Sequence, residues 1–520
     1  MCYDAVVKGL ASFRRIEVKK LDVLKESLKK AENFRAAASY ISFDMATISP
    51  ENAKPNEGEL IAFLENEELK MRKDPSYVSA LLSSLKAVDS MNEWERAMVL
   101  LAYRAYRMEK NIPEEEAYSF SLQEQQAFID WEKAKDSADF SIFSDSLQKV
   151  IENNKKKAAL RELDEEEKEL LKCDYDRLLD KYERGLTTEA IDPIFEESKE
   201  RIVALLERIA KSKKKIRRDF LSRKVPIEKQ RQISKMLQEV LHVDTTRSLI
   251  GESEHAFTDR MAGDDVRITT HYYEDIFLSN IYSVMHESGH LMFDMRQPKE
   301  NHEYFITEGK TLGMHESVSR FYENRIGRSK SFISLIYPRL KEIIPETLSD
   351  VSERELYEAV NIAEPTLIRT EADEVTYTLH VIIRYELEKK LIGGELSVKE
   401  LPKAWNEKYK DILGIVPSND AEGVLQDVHW ASDFGYFPTY AIGNFYNSMY
   451  YNEMAKEIDI DGAVRAGDIE RINSWMEEKV YKKADRLTPA EWIHDITGRS
   501  LTPSDFLDYL DEKYKEIYEL

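Results

Sequence analysis

Eighteen glycines and fifteen prolines in 520 residues leave this chain few places at which a helix has to stop. Gly breaks helices through its backbone entropy, and Pro through its missing N–H. The sequence between them is 33% charged, with long alternations of Glu, Lys, Leu and Ala. Such a chain is expected to be mainly α. Ile202, Leu205, Leu206 and Ile209 show the pattern, apolar at helical spacing with Glu and Arg between them. Residues 20 to about 240 read as a succession of such amphipathic helices. The run Glu165-Glu166-Glu167 reads as the exposed face or first turn of one of them.

One segment breaks this texture. Between about 243 and 275 (VDTTRSLIGESEHAFTDRMAGDDVRITTHYYED) Thr, Gly and β-branched residues gather and the helical period fades, which predicts a small β element. Helices resume from 276, interrupted by the aromatic loop HWASDFGYFPTY, His429 to Tyr440. Loops of that kind on a rigid scaffold commonly carry chemistry. With no repeat and no Pro/Gly/Ser linker, a single domain over 1–520 is expected. Its parts are a helical lobe over about 1–242, a catalytic part with the β element over about 243–445, and C-terminal helices over about 446–520.

Charge and cysteine content exclude several roles. Ninety-eight acidic against 75 basic side chains give a net charge of −23, so nucleic acid is not an expected partner. The basic run KSKKKIRRDFLSRK, Lys211 to Lys224, reads as a solvated helix end and connection. Two cysteines, Cys2 and Cys173, allow neither a disulfide framework nor a thiolate metal site. No segment has signal-peptide quality or approaches the ~20 apolar residues that cross a bilayer. A cytoplasmic protein without membrane partners is the expectation.

The chemistry enters at His286-Glu287-Ser288-Gly289-His290. On a helix, positions i and i+4 share a face, so both imidazoles reach one ion. Glu287 projects beside them, placed to take a proton from water that the ion activates. A catalytic zinc site needs a third protein ligand. Glu316, in Met314-His315-Glu316-Ser317-Val318, lies 316 − 290 = 26 residues beyond the second histidine, room for a loop and a returning antiparallel helix. Glu303 and Glu308 in the intervening segment are the competing acids, on a stretch that reads as a loop. His315 points about 100° away around the helix and is not expected on the same ion. A tetrahedral intermediate further needs a neutral donor such as His or Tyr. A chain-end peptidase also needs an arginine for the terminal carboxylate, for which Arg267 and Arg369 stand in unusual contexts.

These residues resemble the Taq-type thermostable metallocarboxypeptidases. The family's His-Pro-Phe triplet corresponds to His255-Ala256-Phe257, and its Asp-x-Arg-x-Thr element to Asp265–Thr269. Its His-Glu-Ser motif is matched at His315-Glu316-Ser317, and Ile-Arg-x-x-Ala-Asp at Ile368–Asp373. Gly-x-x-Gln-Asp-x-His-Trp is matched at Gly423–Trp430. Ala256 stands where the family has proline, and Val318 where it commonly has glutamine. The turn between His429 and Tyr436 is about one residue shorter than usual.

The resemblance implies a two-lobed, almost wholly helical body around a deep groove, with a small sheet beside the metal, similar in fold to angiotensin-converting enzyme and neurolysin. It also implies a cytosolic, usually homodimeric carboxypeptidase of broad specificity, with zinc or in some members cobalt. The expected ligands are His286, His290 and Glu316, and the expected general base and acid is Glu287. His429 and Tyr436 (or Tyr440) are expected at the oxyanion, with Arg369 first and Arg267 second for the terminal carboxylate. His255 and Tyr440 are expected to contact substrate, and Asp373 and Asp427 to orient His or Arg. An oligopeptidase acting on internal bonds, or a silent peptide-binding protein, are the alternatives.

Overall fold

A computed structural model describes the backbone of residues 2–306 and 311–520, with side chains from residue 20 onward in the same ranges. Among them are 23 α-helices and one three-stranded sheet. Local sequence seals many helix starts. Asn92/Glu95, Asp164/Glu167, Ser352/Glu355 and Thr488/Glu491 each form a reciprocal capping box that satisfies free amides of the first turn. The acidic triplet is the first turn of the helix Glu165–Leu170, where its charges face the positive end of the helix dipole.

The β element falls inside 243–275. Its strands are β1 (Ser248–Glu252), β2 (Thr258–Arg260) and β3 (Val266–Thr270), in the order β1-β3-β2. β1 runs parallel and β2 antiparallel to the central β3. Val266, Ile268, Thr269 and Thr270 of β3 are buried, and the strand packs against the helix Phe277–Met295 that carries the His-Glu-x-x-His motif.

That motif helix is buried along most of its length. It packs against the helix Ile227–Val240 and against Leu312–Arg320, the Glu316 helix, which in turn lies on the closing helix Pro438–Glu457. Two glycines set how closely these three approach. A Cβ on Gly289 would stand 2.5 Å from Ser319 Cα and 2.8 Å from the Val318 carbonyl oxygen. One on Gly443 would stand 2.9 Å from both the backbone carbonyl carbon and Cγ of Glu316. Gly289→Ala is therefore expected to push the motif helix and the Glu316 helix apart and to destabilise the fold by about 1–3 kcal/mol, the usual cost of overpacking. Urea unfolding beside the wild type measures it, and an unchanged midpoint would mean that the helices relax freely.

Among the described residues, the hydrophobic interior divides into two clusters. A small core joins Leu24, Leu28, Tyr77, Leu81, Met98 and Val99 with Phe305. The main core begins at Ala127 and runs through to Tyr518. The helices of 127–241 thus belong with the catalytic part, because their apolar faces meet it rather than the first hundred residues. The basic run lies past the helix Thr188–Lys211 and is held by ion pairs, among them Arg217 and Arg223 on Asp219 and Asp350. Among the described residues, no helix is long and apolar enough to cross a membrane.

Candidate metal centre

The motif helix and the Glu316 helix bring His286, His290 and Glu316 together, one ligand atom of each lying within 4.8 Å of the others. His286 Nε2 is 3.7 Å, and His290 Nε2 3.6 Å, from Glu316 Oε2. Ligand atoms on one small tetrahedral ion, with bonds of ~2.0–2.2 Å, stand about 3.4 Å apart, so this donor set fits such an ion. Glu303 is exposed on the short helix Lys299–Glu303 and lies outside the cluster, while Glu308 lies outside the described residues.

Each histidine is oriented from behind. His286 Nδ1 lies 2.9 Å from Glu323 Oε2. His290 Nδ1 lies 2.7 Å from Nδ1 of His315, whose Nε2 is 3.3 Å from Asp294. For both Nε2 lone pairs to face the ion, each Nδ1 carries the proton: His286 donates to Glu323, and His290 to His315, which donates on to Asp294. His315 thus lies outside the donor cluster, as its angle around the helix predicts, yet it hydrogen-bonds one of the cluster's histidines.

Glu323 lies seven residues after Glu316 on the same helical face, and no motif in the sequence marks it. The Glu316 helix continues into a π-helical turn, Phe321–Ile326, a form that recurs at functional sites. Arg320, between the two glutamates, donates from Nε to Glu316 Oε1 at 2.9 Å and from Nη1 to Glu323 Oε2 at 3.0 Å. Burial pushes the Glu323 carboxyl up, but Arg320, His286 and Arg328 outweigh it and hold it well below the usual carboxylate range. A fixed anion behind His286 results.

Glu287 is 6% exposed and accepts a hydrogen bond of 2.5 Å from the Thr258 hydroxyl. Burial raises its pKa, while His286 and Thr258 pull it back. A buried carboxyl with a raised pKa beside these donors suits the transfer of a proton.

The aromatic loop forms a second cluster. His429 Nε2 is 3.2 Å from the Tyr440 hydroxyl, and the Tyr436 ring lies 5.3 Å from His429 and 5.2 Å from Tyr440. Tyr440 belongs to the first turn of the closing helix rather than to the loop, because Pro438 starts that helix. Both phenols feel the charge of Glu316. Burial pushes His429 down to about 4, so its imidazole is neutral at pH 7. Gly435 at φ +85° lets the loop run against the backbone of Leu178 and Leu179, where a Cβ would stand 2.8 Å away.

The two arginines differ. Arg369 is buried, and gives Nε and Nη2 to Asp427 Oδ1 and Nη1 to the Tyr377 hydroxyl. Its guanidinium lies 4.8 Å from the Tyr440 ring centre. Asp427 also takes Arg384, and the two guanidiniums override its burial and hold it far below the usual range. Arg267 on β3 is bound by Asp265 at 2.7 Å and lies over Tyr40 and Phe43 of the N-terminal helix Cys2–Thr47. His255 is exposed in the β1–β2 connection. Asp373 departs from expectation. It accepts from the amides of Glu364, Val375 and Thr376 and the Thr376 hydroxyl, holding the start of the helix Tyr377–Gly393 rather than a His or Arg. Burial raises it to about 6.

The profile of the carboxypeptidase Taq (M32) metallopeptidases matches residues 23–514. The chain is 35% identical over 495 residues to carboxypeptidase 1 of Bacillus subtilis, covering 95% of this chain and 97% of that protein. Thermostable carboxypeptidase 1 of Thermus thermophilus is 37% identical over 440 residues, 83% of this chain and 84% of its own length. The crystal structure of the M32 carboxypeptidase from Deinococcus radiodurans superposes with a TM-score of 0.91 at 30% identity, over 96% of this chain and 100% of the other. The chain belongs to the carboxypeptidase Taq (M32) metallopeptidase family and is a metal-dependent carboxypeptidase.

Proposed function

We propose that this carboxypeptidase is a zinc enzyme that releases C-terminal amino acids from peptides with broad specificity, with His286, His290 and Glu316 as ligands and Glu287 as base. The observation that carries the reading is the convergence of two Nε2 atoms on one oxygen of a buried carboxylate, beside a second buried carboxylate. Nitrogen and oxygen donors in this number suit Zn²⁺, with Co²⁺ as the second candidate. The ion, when bound, supplies Lewis acidity toward water and the scissile carbonyl.

The chain's own groups do the rest. Glu287 accepts the proton that the attacking water gives up and returns it to the leaving amine. The neutral His429 and the phenol of Tyr436 or Tyr440 donate toward the oxyanion. Tyr440 has the hydrogen bond to His429 in its support, and Tyr436 its contact with the same ring. Arg369 grips the terminal carboxylate. A guanidinium has five N–H groups. Three bonds from Arg369, two to Asp427 and one to Tyr377, leave two N–H for substrate. Arg267 is the second choice, since its guanidinium lies over Tyr40 and Phe43, whereas that of Arg369 lies over Tyr440, the partner of His429. His255 offers an exposed side chain to the peptide, and Asp427 orients Arg369. One domain, acting as a homodimer in the cytoplasm, completes the reading, which rests there on likeness to the family.

Timed product analysis on one peptide, with free and amidated C-termini and with and without chelator, tests it. Single residues are expected to leave the free acid in order, the amide to resist, and the chelator to stop the release from the free acid. Internal fragments appearing first, from either peptide, would make the enzyme an oligopeptidase.

A further inference from the structure

We propose that Thr258 is a positioning residue for the hydrolytic base: its hydroxyl binds one oxygen of Glu287 and assigns the other to receive the proton. This rests on the reading of Glu287 as the base. Thr258 Oγ1 stands 2.5 Å from Glu287 Oε2 and 3.1 Å from the Glu287 backbone oxygen. A hydroxyl has one proton, and the shorter contact is to the acceptor that carries charge, so the proton goes to Oε2. Among the described residues, Thr258 is the one side chain that hydrogen-bonds this carboxylate.

The anchor is rigid. Thr258 begins β2 and pairs with Ile268 on the central strand, which packs on the motif helix. The preceding residue is fixed on both sides: Phe257 N–H donates to Thr269 Oγ1 at 2.9 Å, and its carbonyl accepts from Thr269 N–H at 2.8 Å. A β-branched side chain on such a backbone has little χ1 freedom. The sheet thereby reaches the chemistry through one hydroxyl, and the carboxylate of Glu287 cannot turn freely about its last torsion. Misplacing a reacting group by a fraction of an ångström is costly to rate but not to substrate binding.

Thr258→Val keeps the shape and removes the donor, and Thr258→Ser keeps the donor. Both are measured beside Glu287→Gln and the Thr258→Val/Glu287→Gln double variant for kcat, KM, metal content and thermal midpoint. Thr258→Val is expected to lower kcat about tenfold to a hundredfold, the usual reach of a hydrogen bond to a charged group, with KM and metal content unchanged. Thr258→Ser is expected to restore most of that rate, and the double variant to be no slower than Glu287→Gln alone. If valine does not fold, Thr258→Ala takes its place with the same expectation. A wild-type kcat in Thr258→Val beside an inactive Glu287→Gln would overturn the inference and leave the base in place. So would equal losses in the Val and Ser variants with lowered midpoints, which would reduce Thr258 to strand packing. Turnover retained in Glu287→Gln would instead overturn the assignment of the base.

Discussion

Glu287→Gln is expected to lose hydrolysis by about 10²–10⁴-fold, the usual contribution of a general base, while keeping fold and metal. The substitution is nearly isosteric, and an amide oxygen still accepts from Thr258, whose hydroxyl lies 2.5 Å from the carboxylate now. What disappears is the proton-accepting oxygen and one buried negative charge. Burial already raises the Glu287 pKa, so that charge is held at a cost and its loss is not expected to lower the thermal midpoint. Assays at matched metal content, on a peptide with a free C-terminus, read the effect. Turnover within a few-fold of wild type would remove Glu287 from the mechanism and leave another group to move the proton.

Much of the architecture was legible because the relevant physics is local. Helical period and the scarcity of Gly and Pro betray the helices, and the loss of that period between 243 and 275 betrays the sheet. The i, i+4 spacing of His286 and His290 needs no tertiary information. What escaped is what depends on which faces meet. Glu323 shares the face of Glu316, but nothing in its neighbours announces that His286 packs there. His315 points away from Glu316 on its helix, and the direction away is where His290 Nδ1 stands. Thr258 sits in a three-residue strand, too short for any period to mark its face. Asp373 reads as a partner for His or Arg from its place in a motif, and instead serves its own turn through local hydrogen bonds. Amphipathic helices likewise reveal that they bury a face and not against what, so which helices share a core is not legible in their pattern.

Glu316→Gln is expected to empty the site. The carboxylate is nearly buried, and its two oxygens have separate tasks. Oε1 accepts from Arg320 Nε at 2.9 Å, while Oε2 faces both histidine Nε2 atoms and accepts from the Ser319 hydroxyl at 3.1 Å. On the proposed ligand set, Arg320 thereby fixes which oxygen would turn to the ion. An amide in its place has one oxygen for both tasks, and its N–H₂ cannot accept from Arg320. If the oxygen stays with Arg320, donor hydrogens face the ion; if it flips, the guanidinium of Arg320 meets an N–H₂. Either way the site loses a negative ligand, and neutral amide oxygen is a weak one for Zn²⁺. Metal per chain after dialysis is the readout: retention near one in the wild type, near zero in the variant, with activity falling in step and returning only in part under excess ion. His286 and His290 keep their support from Glu323 and His315, so the helices are expected to stay in register and the loss to be one of affinity rather than of fold. An unchanged stoichiometry and affinity would mean that another acid completes the set. Glu303, exposed on its short helix, would then have to move inward, and Glu308 would be the remaining choice.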